Sequence, residues 1–224
     1  MSIDTWLLDS DAATCLCKYG LINDLAIALG VALSDLRVLP QLKYQLLIHK
    51  PAKALAKLGT QAAVDQAKLL IEQAGEVEVL AESANILLLE ATPDIDGGEL
   101  ALFAALCVDE DAGLITGDKR ALTALAKIDD QLQGHLSWAR ILCLEEAIAV
   151  LVQHFGLKYV SDRVRARPDS NTGLSLIFGR TAASSAASVD EGLKSFLSNL
   201  VELTNGKYSW PKASAAVSAG ARST

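Results

Sequence analysis

Short apolar runs alternate with longer segments in which apolar residues recur every three or four positions, and the rhythm persists to about residue 156. The runs Trp6-Leu7-Leu8, 36–39, 77–80, Leu114-Ile115-Thr116 and 139–142 are strand-length and predict five strands. Helices are predicted over 12–19 and 21–29, broken at Gly20 and stopped at Gly30. A further helix opens on Pro40, carries Leu42, Leu46 and Leu47, and runs to His49-Lys50-Pro51, with Tyr44 and Gln45 as its polar inward candidates. Others follow over 61–74, closed by Gly75, and over 83–90, 119–127 and 145–155, the last led by Glu145 and Glu146, which complement its dipole. Helices placed between strands throughout imply an α/β fold with a mainly parallel central sheet covered on both faces.

The pattern changes at Leu157. Residues 162–168 are basic and broken, 181–188 are small and polar, and a helical period returns over about 189–204 with Leu193, Phe196, Leu197, Leu200 and Val201 on one face. The end, 213–224, has the composition of a disordered tail. The expected organisation is one domain over 1–156 and a basic helical extension over 157–224. The apolar face of the extension helix is expected to pack on its own domain, and the Arg run to be a solvated surface.

Composition narrows the function. The longest apolar run, 100–108, falls far short of the roughly 20 residues needed to cross a bilayer, so no transmembrane helix and no membrane partner are expected. Nothing at the N-terminus resembles a secretion signal, and Cys15, Cys17, Cys107 and Cys143 show no zinc or redox spacing, which together point to reduced, buried thiols in a cytoplasmic protein. His49, His135 and His154 are scattered, leaving zinc chemistry unsupported. Of the net charge of −7, the segment from 157 onward carries nine Lys/Arg against five Asp/Glu, a balance of +4, so the first 156 residues carry −11. A polyanionic substrate then needs a divalent metal or the basic tail to offset repulsion.

The stretch 93–122 concentrates the candidate chemistry. Asp96 and Glu99 have the D-x-x-E spacing of a helix capping box, yet Glu99 also lies at helical spacing from Leu102, Phe103 and Leu106, on the face that must be buried. Asp118 follows the strand 114–116 and doubles as a plausible helix cap, and the first strand likewise ends on Asp9 and Asp11. Ligands in open α/β sheets sit outside the carboxyl ends of strands. Carboxylates gathered there repel one another unless a cation lies between them.

Three pieces together resemble the PIN domain family: Leu7-Leu8-Asp9, Gly98-Glu99 running to Ala104, and Ile115-Thr116-Gly117-Asp118-Lys119-Arg120-Ala121. The resemblance covers about 1–150 and implies a three-layer α/β/α Rossmann-like fold. It also implies Mg²⁺- or Mn²⁺-dependent ribonuclease activity, including that of the toxins of bacterial toxin–antitoxin pairs. By position Asp9, Glu99 and Asp118 would be the catalytic metal ligands, with Asp11, Asp94 and Asp96 as nearby candidates. RNA is the implied substrate, and an antitoxin-like protein or a second copy the implied protein partner. Thr116, Lys119, Arg120, Arg163, Arg165 and Arg167 are the candidates for substrate contact. Many members carry a glutamate in the helix after the second strand, where this chain has Gln45, and a neutral amide cannot supply that charge.

Two other readings stand beside this one. A catalytically weak or inactive PIN-like binding module follows if Gln45 removes a needed charge. A phosphatase of the haloacid dehalogenase type ranks third: Asp9-Ser10-Asp11 resembles its D-x-D and Gly117-Asp118 its later G-D, but Ala13 stands where Thr or Val belongs and the second motif lacks its following Asp. No Ser or Cys paired with a general base is apparent, which disfavours a covalent route.

Overall fold

The computed structural model describes residues 3–78, 84–134 and 136–211. Strand β1 (Thr5–Leu8) leads into α1 (Ser10–Tyr19) and α2 (Ile22–Leu29), then β2 (Leu36–Val38), α3 (Leu42–Gln45), α4 (Pro51–Leu58), α5 (Gln61–Gln73) and β3 (Gly75–Glu76). The chain continues through α6 (Ala84–Glu90), α7 (Gly97–Val108), β4 (Ala112–Thr116), α8 (Lys119–Ile128), β5 (Ile141–Cys143) and α9 (Leu144–Phe155). Helices α10 (Leu157–Ala166), α11 (Thr172–Phe178) and α12 (Ala186–Leu203) follow. The five strands form one sheet in the order β3-β2-β1-β4-β5, parallel at every pairing. Helices cover both faces, a three-layer α/β/α arrangement of Rossmann-like type.

Pleating divides the core in two. Trp6, Leu8, Ile115 and Leu142 point to the layer built with α1, α2, α5 and α9, whereas Leu7, Leu114, Ile141 and Cys143 point to the layer built with α7 and α8. β1 and β4 are central, and their register places Trp6 opposite Gly113. A β-carbon at Gly113 would lie 2.6 Å from the Trp6 ring, so only glycine lets the two strands pair with that indole buried between them and the helices.

The segment after 156 belongs to both layers. Val160, Val164, Leu174, Phe178, Val189 and Leu193 join the first, and Leu197, Leu200 and Tyr208 join the second, so α12 passes from one layer to the other. Tyr208 is fully buried; its hydroxyl accepts the Cys143 N–H at 3.0 Å, satisfying a donor on the edge strand β5, and donates to the Glu146 carboxylate. The apolar face expected over 189–204 therefore does pack on its own chain.

Several expectations change. The helix expected from Pro40 to His49 is one turn, α3, because Leu47 adopts a left-handed φ of 57°, and Pro51 then starts α4 at a position that needs no N–H donor. The turn lets Leu42 and Leu46 on one side and Ala54 and Leu58 on the other all reach the same core. β3 is Gly75–Glu76, earlier than expected; Val77 still donates its N–H to the Val38 carbonyl at 3.0 Å, Glu78 follows outside the strand, and positions 79–80 lie outside the described residues, as does the tail 213–224. The basic run 162–168 is helical as far as Ala166 and breaks only at Arg167-Pro168, with Val160 and Val164 one turn apart and buried. Its arginines hold the chain together: Arg163 lies over the Tyr159 ring at 3.5 Å, Arg165 donates to the Gly179 carbonyl at 2.9 Å, and Arg167 donates to the Leu58 carbonyl.

β5 begins later than expected because residues 138–140 form a 3₁₀ turn that buries Arg140. The Arg140 guanidinium donates to the carbonyls of Ala112 at 2.7 Å and Leu106 at 3.2 Å, and also to that of Asp109, tying the end of α7 to the start of β4. Replacing it by Met leaves those carbonyls without their charged donor. We expect Arg140→Met to lower the urea-unfolding free energy by about 3 kcal/mol or more; a loss below about 1 kcal/mol would show the clamp to be dispensable. No single helix among the described residues is long and apolar enough to cross a membrane.

Candidate functional site

The strand order creates the site. β2 and β3 lie on one side of β1, β4 and β5 on the other, so the topology switches direction between β1 and β4. A crevice outside the carboxyl ends of the strands belongs at that point. Leu8 pairs with Ile115, which brings Asp9 and Thr116 out at the same level; the Asp9 N–H donates to the Ile115 carbonyl at 2.9 Å. Both strand-end acids thus stand at one end of the sheet, on adjacent parallel strands.

Thr116 joins the two. Its hydroxyl donates to Asp9 Oδ2 at 3.3 Å and accepts the Asp118 N–H at 3.1 Å, while the Gly117 N–H reaches Asp9 Oδ2 at 3.5 Å. Asp118 Oδ1 caps α8, accepting the Arg120 N–H at 2.7 Å and the Ala121 N–H at 3.0 Å, and Oδ2 lies 3.6 Å from the Arg120 guanidinium. On α7 the capping box is complete: Asp96 Oδ1 accepts the Gly98 and Glu99 N–H groups at 2.8 and 2.9 Å, and Glu99 Oε2 accepts the Asp96 N–H at 2.7 Å. The capping roles of Asp96, Glu99 and Asp118 are thus all filled.

Capping does not account for the burial of Glu99. It is 8% exposed and shares the inner face of α7 with Leu102, Phe103 and Leu106. Burial pushes its carboxyl up to about 7, helped by the nearby charges of Asp96, Asp118 and Asp9 and opposed by the Asp96 N–H. Asp9, equally buried, is pushed up to about 6, first by burial and then by Asp11, against the bonds from Gly117, Ser10 and Thr116. Among the described residues, no Lys, Arg or His forms an ion pair with either acid. Their charged forms are uncompensated as the protein stands.

A cleft of about 270 Å³ is lined by Asp94, Asp96, Glu99, Asp118 and Arg120, which brings together most of the acids expected to matter. Asp118 and Arg120 also border a second cleft of about 420 Å³, where Asp11, Lys119 and Glu145 are found. No three Asp, Glu, His or Cys side chains among the described residues converge on one ion position, because Glu99 and Asp118 are turned onto backbone N–H groups. The donor set still suits a hard cation: every donor is oxygen, and Mg²⁺ commonly uses one or two carboxylates and retains several waters. Cys15, Cys17 and Cys143 are buried and pushed up to about 12 by that burial, so they supply no thiolate near neutral pH.

Two residues escaped the sequence reading. Glu145, 4% exposed and pushed up to about 7 by burial against the pull of Lys119, stands two residues past the end of β5. Its position repeats the strand-then-acid pattern of Asp9 and Asp118, the signal that could have found it. The second is Gln41. Gln41 and Gln45 are both exposed; the Gln45 backbone carbonyl accepts from Lys57 Nζ at 2.6 Å, and it is the Gln41 amide that reaches the first turn of α7, its Nε2 lying 3.9 Å from where a Gly98 β-carbon would be. We therefore expect Gln41→Glu, not Gln45→Glu, to strengthen Mn²⁺ binding, read as a larger metal-induced rise in Tm. Equal shifts in the two variants would contradict this placement.

Of the candidate substrate contacts, Thr116 is buried and orients Asp9, Arg120 is exposed at the rim of both clefts, and Lys119 borders the larger one. Arg163, Arg165 and Arg167 line neither.

Stability should follow the acids. Because Asp9, Glu99 and Glu145 have raised values in the folded state, their contribution favours folding fully below the unfolded carboxyl range near pH 4 and is lost as pH rises through about 6 for Asp9 and about 7 for the glutamates. The Tm of the metal-free protein should fall between pH 5 and pH 8. A Tm that rises over that interval would show the acids to be compensated. The chain matches no family model, no curated protein and no solved structure.

Proposed function

We propose that the chain is a divalent-cation-dependent ribonuclease. The observation that carries this reading is the pair of strand-end acids at the topological switch point, Asp9 and Asp118, bridged by Thr116 and faced by the buried, uncompensated Glu99. The resemblance of these same three pieces to the PIN domain family supports it. Asp9, Asp118 and Glu99 would hold Mg²⁺ or Mn²⁺, with Asp11, Asp94 and Asp96 at the margin. Such a cation supplies an acidified water and offsets the charge that develops on phosphate oxygens.

The chain's own groups do the positioning. Thr116 fixes the Asp9 carboxylate and the backbone of Asp118 through one hydroxyl, so the two acids cannot drift apart without breaking its bonds. Arg120, mostly exposed beside Asp118, is placed to meet a phosphate at the mouth of the cleft. Glu99, whose carboxyl burial pushes up to about 7 in the metal-free protein, would give up its proton when the cation binds.

One observation favours the alternative of a non-catalytic binding module: the carboxylates of Glu99 and Asp118 are already engaged by backbone N–H groups. A cleavage assay separates the two. Wild-type protein with Mn²⁺ should cut end-labelled RNA, lose the activity in EDTA, and lose it in Asp118→Asn. Cleavage that persists unchanged in Asp118→Asn and Asp9→Asn would overturn the assignment, and no cleavage by wild type would leave the binding module.

A further inference from the structure

The larger cleft carries information that the acids do not. One wall is the end of β4 and the start of α8; the other is made by α11, α12 and the loop before α11, all from the segment after 156 that the family resemblance does not cover. Phe196 of α12 lines it, half-buried, with Lys119 Nζ 2.7 Å from the centre of its ring. Gly173 packs beside the edge of that ring, where a β-carbon would lie at ordinary contact distance, 3.5 Å, from Phe196 Cε2. An adjoining cleft of about 320 Å³ shares Asp11, Gly117 and Asn171 with the first and extends to Lys18. Side by side, the two make up one candidate groove from Asp118 to Lys18.

We infer that this groove binds single-stranded RNA, with Phe196 as the platform on which an unpaired base stacks and Lys119 as the contact to a neighbouring phosphate. The inference rests on the ribonuclease reading and assigns its substrate-binding wall to the C-terminal helices. Arg120 at the mouth and Lys119 in the middle place cations along the groove of a chain whose first 156 residues are strongly acidic, and Lys18 at the far end is paired with Asp169 at 3.9 Å. Asp11, Asp118 and Glu145 lie along it too, so its charge is nearly balanced without a divalent ion and favours a polyanion once one is bound. In the free protein the Lys119 ammonium covers the aromatic face. A phosphate draws that ammonium away and exposes the ring to a base, exchanging one cation contact for a charge-assisted bond and a stack.

The test is fluorescence anisotropy with a single-stranded RNA of about 12 nucleotides and its duplex form, in Ca²⁺, using the full chain. Phe196→Leu should weaken single-strand binding about tenfold, Phe196→Trp should restore it, and duplex binding should not respond to either change. Lys119→Gln should weaken binding and lower the salt dependence by about one counterion. Loss of single-strand and duplex binding alike in Phe196→Leu, without rescue by Trp, would mean that Phe196 acts through folding and would overturn the inference. So would wild-type affinity in Phe196→Leu. If Asp118-dependent cleavage survives while Phe196 proves silent, the groove assignment alone fails. If wild type neither cleaves nor binds RNA, both fail.

Discussion

Asp9→Asn should abolish RNA cleavage and at the same time make the metal-free protein harder to unfold at pH 8. Asp9 is 8% exposed and its carboxyl is pushed up to about 6 by burial and by Asp11, so ionising it in the folded state opposes folding. At pH 8 this opposes folding by something on the order of 3 kcal/mol, with none of that penalty below pH 4. Asparagine keeps an oxygen to accept from Thr116 and Gly117 while removing the charge. The expected result is a higher Tm for the variant at pH 8 in EDTA and a difference that shrinks towards pH 4. Cleavage should fall by about a thousandfold or more, the scale lost when a group stabilising the transition state is removed. An equal fall in Tm at both pH values would make Asp9 a purely structural residue. The combination of more stability and less activity is the signature of a charge retained for function.

A chain cut after residue 156 should not fold. Val160, Val164, Leu174, Phe178, Val189, Leu193, Leu197, Leu200 and Tyr208 are all buried, and they complete both core layers. At about 1.5–3 kcal/mol for each large buried side chain, their combined loss matches or exceeds the roughly 5–15 kcal/mol by which a domain is stable. The cut also removes the Tyr208 hydroxyl from Cys143 and Glu146 at the sheet edge. We expect the 1–156 fragment to show no cooperative thermal transition by circular dichroism. A cooperative melt close to that of the full chain would show the C-terminal helices to be a separable attachment.

The parts of the fold legible in the sequence are those in which local signals agree. Asp96 with Glu99 marks the start of α7, Asp118 the start of α8, and the apolar runs before Asp9 and Asp118 mark the two central strands, so the acids could be placed at one end of the sheet before any tertiary contact was known. Where charge and period compete, the reading fails. Lys158, Arg163 and Arg165 hide the spacing of Leu157, Val160 and Val164 that makes α10, and the partners that use those arginines, Asp24 and the Gly179 carbonyl, are distant in sequence. The positive φ at Leu47, which ends the expected helix after a single turn, carries no local signal, because a leucine there gives no reason to expect a left-handed residue. Glu145 reads in the sequence as a complement to the helix dipole because the groups it shares a cleft with, Lys119 and the C-terminal helices, are distant from it along the chain.

The central claim is that Asp9, Glu99 and Asp118 serve one cation, and a titration with Mn²⁺ followed by the electron paramagnetic resonance signal of the free aqua ion tests it most directly. The signal should be suppressed until one equivalent is bound to the wild-type protein at pH 8. Binding should weaken towards pH 6, where protons compete for Asp9 and Glu99. Mg²⁺ should compete for the same site, and both Asp9→Asn and Asp118→Asn should bind far less. Binding of Mn²⁺ that is identical in wild type and both variants, or none at millimolar Mn²⁺, would contradict the account and return these acids to capping and strand-end roles.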